Sequence, residues 1–302
     1  MSDWVLNILA LLIWPGLVSS ALLGWLYMWV LRKLTARLQG RQGPPFYQPF
    51  FDFIKLLGKE TIVPNGISPA LFYGLPAVSV GATVFALALI PAPGNPLRSF
   101  PGDLIVILFL LEVPALCEVL AGFSTRSPYG QVGAAREAMM SLSYNLPFLT
   151  ALIALAVNAG SFNLDVIAAM PLGWVHLVAA LALLVALPAR LKSNPFSIPN
   201  AEQEVVAGPH TEFNGLSLAL FELSHALELV VMVGLFAALF LSPLAGGLGA
   251  LILYLLLSFA LIVVVTVLGT ATARLKLNQA FQFYWSWGAA AAILVLIVAV
   301  IR

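Results

Sequence analysis

The chain has 302 residues, of which 61% are hydrophobic and only 9% are charged, and its mean hydropathy is +1.01. Soluble domains carry about 25% charged residues, so this composition excludes both a soluble globular protein and a disordered one. The formal net charge of +1 gives no indication of a nucleic-acid partner. Long apolar runs without strand-like alternation exclude a β-barrel and predict an all-α, polytopic integral membrane protein.

Eight apolar segments are long enough to cross a hydrocarbon core of about 30 Å as helices. The predicted spans are residues 4–30, 69–92, 103–123, 132–158, 172–189, 215–241, 248–268 and 283–301. No composition shift or internal repeat divides the chain. We therefore expect a single membrane domain over 1–302 with about eight transmembrane helices.

The first long loop, 31–68, contains an amphipathic segment at 46–59. Its apolar residues share one helical face, and its charged residues lie elsewhere. The segment therefore predicts a helix in the membrane interface. Two roles stay open: a simple anchor, or the wall of a docking surface or of a lateral cavity.

Basic residues predict the orientation in the membrane. All 14 lysines and arginines except Arg98 and Arg302 fall in the loops after the odd-numbered spans or just beside them. This bias places the long loops 31–68 and 190–214 in the cytoplasm and both termini outside. We expect a prokaryotic cytoplasmic (inner) membrane, with lipid as the surrounding partner.

The sequence offers no metal or redox site. Cys117 is the only cysteine, and the three histidines are scattered. Iron–sulfur clusters and structural zinc sites each need about four ligands. We therefore expect no cofactor and no catalytic residue in this chain, and any electron chemistry must belong to a partner.

Acidic residues inside predicted spans are the most informative feature, because each costs about 2.5–3.5 kcal/mol at a span centre. The candidates for a proton path, together with the histidine between two of them, are Glu112, Glu118, Glu137, Glu222, His225 and Glu228. Only Arg136 offers a basic partner within the same spans. Protonatable groups in a row are what a proton path needs.

Other roles for these residues stay open. Glu137 could pair with Arg136 or with a loop charge, Glu112 and Glu118 could be neutral packing residues, and His225 could be a core histidine. Glu222, His225 and Glu228 are spaced to share a helical face. Glu112 and Glu118 are about 240° apart around a helix and need not share one.

The loops on the predicted cytoplasmic side suit a docking surface. Pro195, Pro199 and Pro209 keep 190–214 from forming a regular helix. A solvated connector is the alternative for this loop. The residues that we expect to dock a partner or to couple it to the membrane are Arg41, Asp52, Lys55, Arg126, Arg136, Glu202, Glu204, His210 and Glu212.

Three segments carry a family resemblance. They are Arg41-Gln-Gly-Pro-Pro with Asp52-Phe-Ile-Lys-Leu-Leu-Gly-Lys-Glu, Ser127-Pro-Tyr-Gly-Gln-Val-Gly-Ala-Ala-Arg-Glu-Ala-Met, and Pro195-Phe through Glu202-Gln-Glu-Val-Val-Ala-Gly-Pro-His-Thr-Glu-Phe-Asn-Gly. Their order and the eight-span layout resemble subunit 1 of NADH dehydrogenase, respiratory complex I. The likeness covers nearly the whole chain.

Within that family, the Arg136-Glu137-Ala138-Met139 run and the short loops resemble the membrane anchor of energy-converting (group 4) nickel–iron hydrogenases and formate hydrogenlyases. The resemblance implies a non-catalytic subunit of a membrane-bound oxidoreductase complex. It implies large and small hydrophilic subunits as partners, which carry iron–sulfur clusters and a nickel–iron site, and antiporter-like membrane subunits. It also implies that the buried acids join redox chemistry to proton or ion movement.

The chain departs from the family pattern at several acids. Arg190 stands where an acid commonly precedes Pro-Phe, Ser197 and Asn200 replace two further acids, and Asn145 follows Tyr144 where an acid is usual. Glu112, Glu118 and Glu222 could substitute for them, or pumping could be altered. A quinone-site subunit of a complex I enzyme and an independent secondary transporter are the alternative functions.

Overall fold

The computed structural model describes residues 3–95, 100–241 and 247–301, and within these ranges the regular structure is entirely helical. Seven of the helices described are long and apolar enough to cross a membrane, and Trp174–Arg190 is a shorter apolar helix. This confirms the predicted fold class. The α-helices are α1 (Asp3–Leu12), α2 (Leu17–Leu38), α3 (Gln48–Leu57), α4 (Pro69–Leu89), α5 (Asp103–Ser124), α6 (Pro128–Ala159), α7 (Leu164–Ala168), α8 (Trp174–Arg190), α9 (Glu202–Val205), α10 (Gly215–Leu241), α11 (Leu248–Ala271), α12 (Leu277–Phe283) and α13 (Ala289–Ile301).

The first and last spans differ from their predicted bounds. The segment expected at 4–30 consists of α1 and α2, because Pro15 has no backbone N–H to continue the helix, and α2 then runs on to Leu38. The last span begins at Leu277 rather than at 283, and a π-helical turn at Tyr284–Gly288 joins α12 to α13.

The amphipathic helix is present as α3, which lies against α2 through aromatic contacts. The ring centroid of Trp25 is 5.3 Å from that of Phe53, and that of Trp29 is 5.7 Å from Phe46, which lies just before α3. Other apolar side chains of α3, such as Phe50 and Ile54, are exposed. An exposed apolar face on a helix of a membrane protein is what contact with lipid requires.

Helix α10 lies at the centre of the bundle, with 83% of its most apolar stretch buried. A Cβ atom on Gly24 of α2 would lie 2.5 Å from the carbonyl oxygen of Ala226. Glycine therefore lets α2 and α10 pack with their backbones in contact, as small residues do between membrane helices.

The loops that the sequence predicts on one side of the membrane meet at one end of the bundle. This end, called the basic end below, comprises the loops 31–68, 125–127, 190–214 and 272–276. The Asn214 amide donates to the carbonyl of Ile62 and accepts from its N–H, at 2.8 and 2.7 Å. Arg274 donates to the Gln203 side chain at 2.9 Å. The basic end is thus one connected surface.

We expect the basic end to face the cytoplasm. In a Cys117→Ala background, single cysteines at exposed positions 42 and 207 should react with an impermeant thiol reagent only after the membrane is permeabilised. A cysteine at exposed position 165, at the opposite end, should react in intact cells. Reaction of position 207 in intact cells would contradict this orientation.

Candidate functional site

Two basic residues reach the interior because α8 is short. Its 17 residues span about 26 Å, less than the hydrocarbon core of about 30 Å. Arg190, its last residue, contacts Glu112, which lies about 18 Å along α5 from the end of that helix at Ser124. The loop 190–214 therefore begins inside the bundle, and its first charged residues lie among the acids of α5 and α6.

The first cluster consists of Arg190, Glu112 and Asn145. Nη1 of Arg190 donates to Glu112 Oε1 at 2.7 Å and to Asn145 Oδ1 at 3.1 Å. Nδ2 of Asn145 donates in turn to Glu112 Oε2 at 2.6 Å. The guanidinium is fully buried and lies 4.8 Å from the ring centroid of Phe148, a cation–π distance. Each charge in this cluster is compensated.

The second cluster consists of Lys192, Glu118, Glu137 and His210. Nζ of Lys192 donates to Glu118 Oε2 and lies 3.6 Å from Glu137 Oε1. Nε2 of His210 lies 4.0 Å from Glu118 Oε2. Oε1 of Glu137 and Nε2 of His210 are both buried without a hydrogen-bond partner in the described structure. Two acids thus share one lysine at close range.

Burial lowers the pKa of His210, and the nearby Lys192 lowers it further, while Glu118 opposes both effects. The pKa of His210 therefore lies below its ordinary value, and the ring is neutral near pH 7.

Helix α10 adds two further titratable residues beside the two clusters, Glu228 and His225. Glu228 is buried and interacts electrostatically with Lys192, Arg190, Glu118 and Glu112, which connects the two clusters. Its neighbour one turn away, His225, interacts with Lys192, Glu118 and His210. These charged and titratable groups lie within electrostatic range of one another, and they are called the row below.

Glu222 forms no salt bridge with either cluster in the described structure, and it lines a cavity of about 240 Å³ between α2, α3 and α10. Trp25, Phe53 and Leu56 supply apolar walls. The charged walls are Arg32, Asp52, Lys55 and Lys59. Arg32 and Asp52 form an exposed salt bridge at 3.2 Å. Helix α3 is therefore the wall of a lateral cavity, one of the two roles that the sequence left open.

The structure corrects the expectation that the buried acids lack basic partners. Glu112 and Glu118 each pair with a residue from the end of α8 or the loop after it. Glu137 lies beside the loop residue Lys192 and not beside Arg136. Arg136 instead bridges to Glu204 at 2.5 Å. Glu112 and Glu118 belong to different clusters, which agrees with the angle of about 240° between them around the helix.

The expected docking residues lie at the basic end but fall into different surroundings. Arg41, Lys55, Arg126 and Glu204 are exposed there, whereas Arg136, Asp52 and Glu212 are partly buried. His210 turns inward and belongs to the second cluster. The side chain of Glu202 lies outside the described part of the structure, as do Arg98 and Arg302.

Sequence reasoning did not assign Arg190, Lys192 or Asn145 to the site. Arg190 and Asn145 stood out only as departures from the family pattern, and Lys192 only as a loop charge. A useful signal was available: Arg190 ends an apolar helix that is too short to reach the far interface. Basic residues at the end of a short span are candidates for partners of buried acids.

The described ranges contain no group of three or more His, Cys, Asp or Glu residues arranged to hold a metal ion. The carboxylates instead face Arg190 and Lys192. Carboxyl groups of this kind can take up and release protons. The absence of a cofactor in this chain stays a prediction.

Comparison with known proteins matches residues 9–300 to the family described as NADH dehydrogenase. An NADH-quinone oxidoreductase subunit of Syntrophotalea carbinolica is 33% identical over 82% of this chain and 82% of its own length. Hydrogenase-4 component C of Escherichia coli is 34% identical over 72% of this chain and 70% of its own length.

A solved structure agrees over almost the full length. It is a chain of the membrane-bound sulfane sulfur reductase, an archaeal respiratory membrane complex, with a TM-score of 0.88 and 32% identity. The match covers 99% of this chain and 100% of that one. With the helical bundle and the shared motifs, these matches establish that the chain belongs to the NADH dehydrogenase subunit 1 family of integral membrane subunits of respiratory complexes.

Proposed function

We propose that this chain is the membrane anchor and ion-translocating subunit of an energy-converting oxidoreductase of the hydrogenase type. In this proposal a nickel–iron hydrogenase-like arm with iron–sulfur clusters, of the ferredoxin- or formate-linked kind, docks on the basic end in the cytoplasm. Antiporter-like subunits adjoin the chain in the inner membrane. The observation that carries the proposal is the row of buried acids that Arg190 and Lys192 enter from the basic end.

The row supports ion movement because some of its carboxyl groups are paired with a cation and others are not. Glu112 and Glu118 face fixed cations, whereas Glu228 is buried outside both salt bridges. A carboxyl group in a low-dielectric interior is cheaper to bury when protonated. A group of this kind can take up and release a proton as nearby charges shift.

The basic end supports docking because it is polar, connected and presented as one surface. The hydrogen bonds between 31–68 and 190–214 fix its shape, and both loops carry exposed charges. Complementary charge steers such contacts and fixes their register. The kinship with a hydrogenase-4 component favours a hydrogenase-like partner for this surface.

Charge reversal should therefore release the arm. We expect Arg41→Glu with Arg126→Glu to remove the hydrophilic subunits during mild-detergent purification while this chain stays in the membrane, because both side chains are exposed at the basic end. Asp165→Lys, at the opposite end, is the matched control and should purify with the whole complex. An intact complex with both reversals would contradict docking at these residues, and purification of the parent chain alone would favour the independent transporter.

The cavity beside α3 favours one second candidate, a quinone-site subunit. It is about 240 Å³ in volume, mixed in polarity and bordered by a helix of the membrane interface, where a quinone ring could enter. Filling it with Met28→Trp should abolish quinone-dependent turnover if quinone binds there. Under the hydrogenase-type proposal the parent complex turns over without added quinone, and Met28→Trp leaves that rate unchanged.

A further inference from the structure

We infer that Lys192 is a mobile counter-charge that exchanges between Glu118 and Glu137 and thereby admits protons to the buried row. The inference rests on the proposed ion-moving function and names the residue that would regulate the entry of protons. It starts from the unequal positions of the two acids around a single ammonium group.

Geometry leaves a second position open for the ammonium group. Nζ is hydrogen-bonded to Glu118, but Glu137 Oε1 is only 3.6 Å away and has no hydrogen-bond partner in the described structure. A shift of about 0.5 Å would bring that oxygen within the usual range of about 2.7–3.2 Å. Lysine suits this exchange because its ammonium is a point charge on a flexible stem.

His210 is placed to contact the Glu118 carboxyl group when Lys192 moves to Glu137. Its Nε2 lies 4.0 Å from Glu118 Oε2 and also lacks a hydrogen-bond partner in the described part of the chain. The other charged or titratable groups acting on Lys192 and its partners are Glu222, His225 and Glu228 on α10, Cys117 on α5 and Tyr144 on α6. None of these lies within salt-bridge distance of the Lys192 ammonium in the described structure.

The Lys192 side chain lies inside the protein. Lys192 has φ of 50°, in the left-handed region that non-glycine residues seldom adopt. Its side chain is 6% exposed. The same residue borders a cleft of about 590 Å³ at the basic end, together with Arg32, Arg41 and Ser193. Lys192 thus lies between an open cleft and the buried acids.

The exchange moves one proton and conserves charge. With Lys192 on Glu118, that carboxylate is ionised and the Glu137 carboxyl holds a proton. When the ammonium moves to Glu137, the O–H bond of Glu137 breaks and its proton forms a new O–H bond on Glu118. Return of Lys192 then expels the proton from Glu118 to the row, and Glu137 takes up a replacement proton from the cleft, which restores the starting state. No electron or further reactant is needed.

Three variants of the assembled complex in sealed vesicles test this exchange. Lys192→Arg keeps the charge but favours a fixed, forked contact with Glu118. Lys192→Met with Glu118→Gln removes both charges of the pair, so no lone charge stays buried. Lys276→Met, an exposed lysine at the basic end, is the matched control.

We expect the first two variants to retain arm activity with an artificial acceptor but to lose turnover-linked proton movement about tenfold or more, because misplacing a proton-transfer group has effects of this size. Lys192→Arg should also change the pH profile of proton movement, which a purely structural role would not do. If both variants keep the proton movement and the pH profile of the parent, the role inferred for Lys192 is wrong, while the proposed function is not affected. A parent complex without turnover-linked movement would overturn the proposed function as well.

Discussion

Replacing Arg190 with methionine should strongly destabilise the protein. Arg190 is fully buried and holds the Glu112 carboxylate, the Asn145 side chain and the Leu111 carbonyl together. Removing one partner of a buried ion pair costs about 3–5 kcal/mol, because the other charge is left uncompensated. We expect Arg190→Met to lower the yield of folded protein and its thermal unfolding temperature in detergent.

A double substitution separates lost charge from lost packing. Methionine fills much of the arginine volume, and Glu112→Gln removes the charge that would be left unpaired while its amide can still bond Asn145. Arg190→Met with Glu112→Gln should recover most of the stability lost in the single variant. A double variant as unstable as Arg190→Met would mean that the ion pair does not account for the effect.

The helices and the basic end followed from the sequence for clear physical reasons. Long apolar runs define membrane helices almost independently of tertiary context, because every backbone polar group must be satisfied within the segment. The loops 31–68 and 190–214 were placed together by their basic residues, and the hydrogen bonds of Asn214 with Ile62 agree with that placement.

The pairing of the buried acids could not be predicted in the same way. Glu112 and Arg190 are 78 residues apart in the chain, and Glu118 and Lys192 are 74 apart. Such pairs depend on where each helix ends relative to its neighbours, and a hydropathy pattern contains no such information. The acids were assigned to long apolar helices, where the structure has them, while their cations were assigned to the loop surface.

Because Glu112 and Glu118 are paired with cations, a third acid, Glu228, is the better residue to mutate in a test of ion movement. Glutamine at 112 or 118 would leave Arg190 or Lys192 without its carboxylate, so a loss of function could reflect lost folding. Glu228 is buried but outside both salt bridges, and it links the two clusters electrostatically. Glutamine keeps its shape and hydrogen bonding but cannot titrate.

We expect Glu228→Gln to assemble normally and to retain arm activity with an artificial acceptor. Turnover-linked proton movement should fall about tenfold or more, since positioned proton-transfer groups contribute about 10²-fold or more to such steps. Glu60→Gln, an exposed glutamate at the basic end, is the matched control and should move protons like the parent.

The most direct measurement is the number of protons moved per electron pair in vesicles containing the purified complex. We expect a clear ratio for the parent and for Glu60→Gln, and a ratio near zero for Glu228→Gln at an unchanged rate of electron transfer. An equal ratio in Glu228→Gln and the parent would contradict the account, since the buried row would then serve packing and not ion movement.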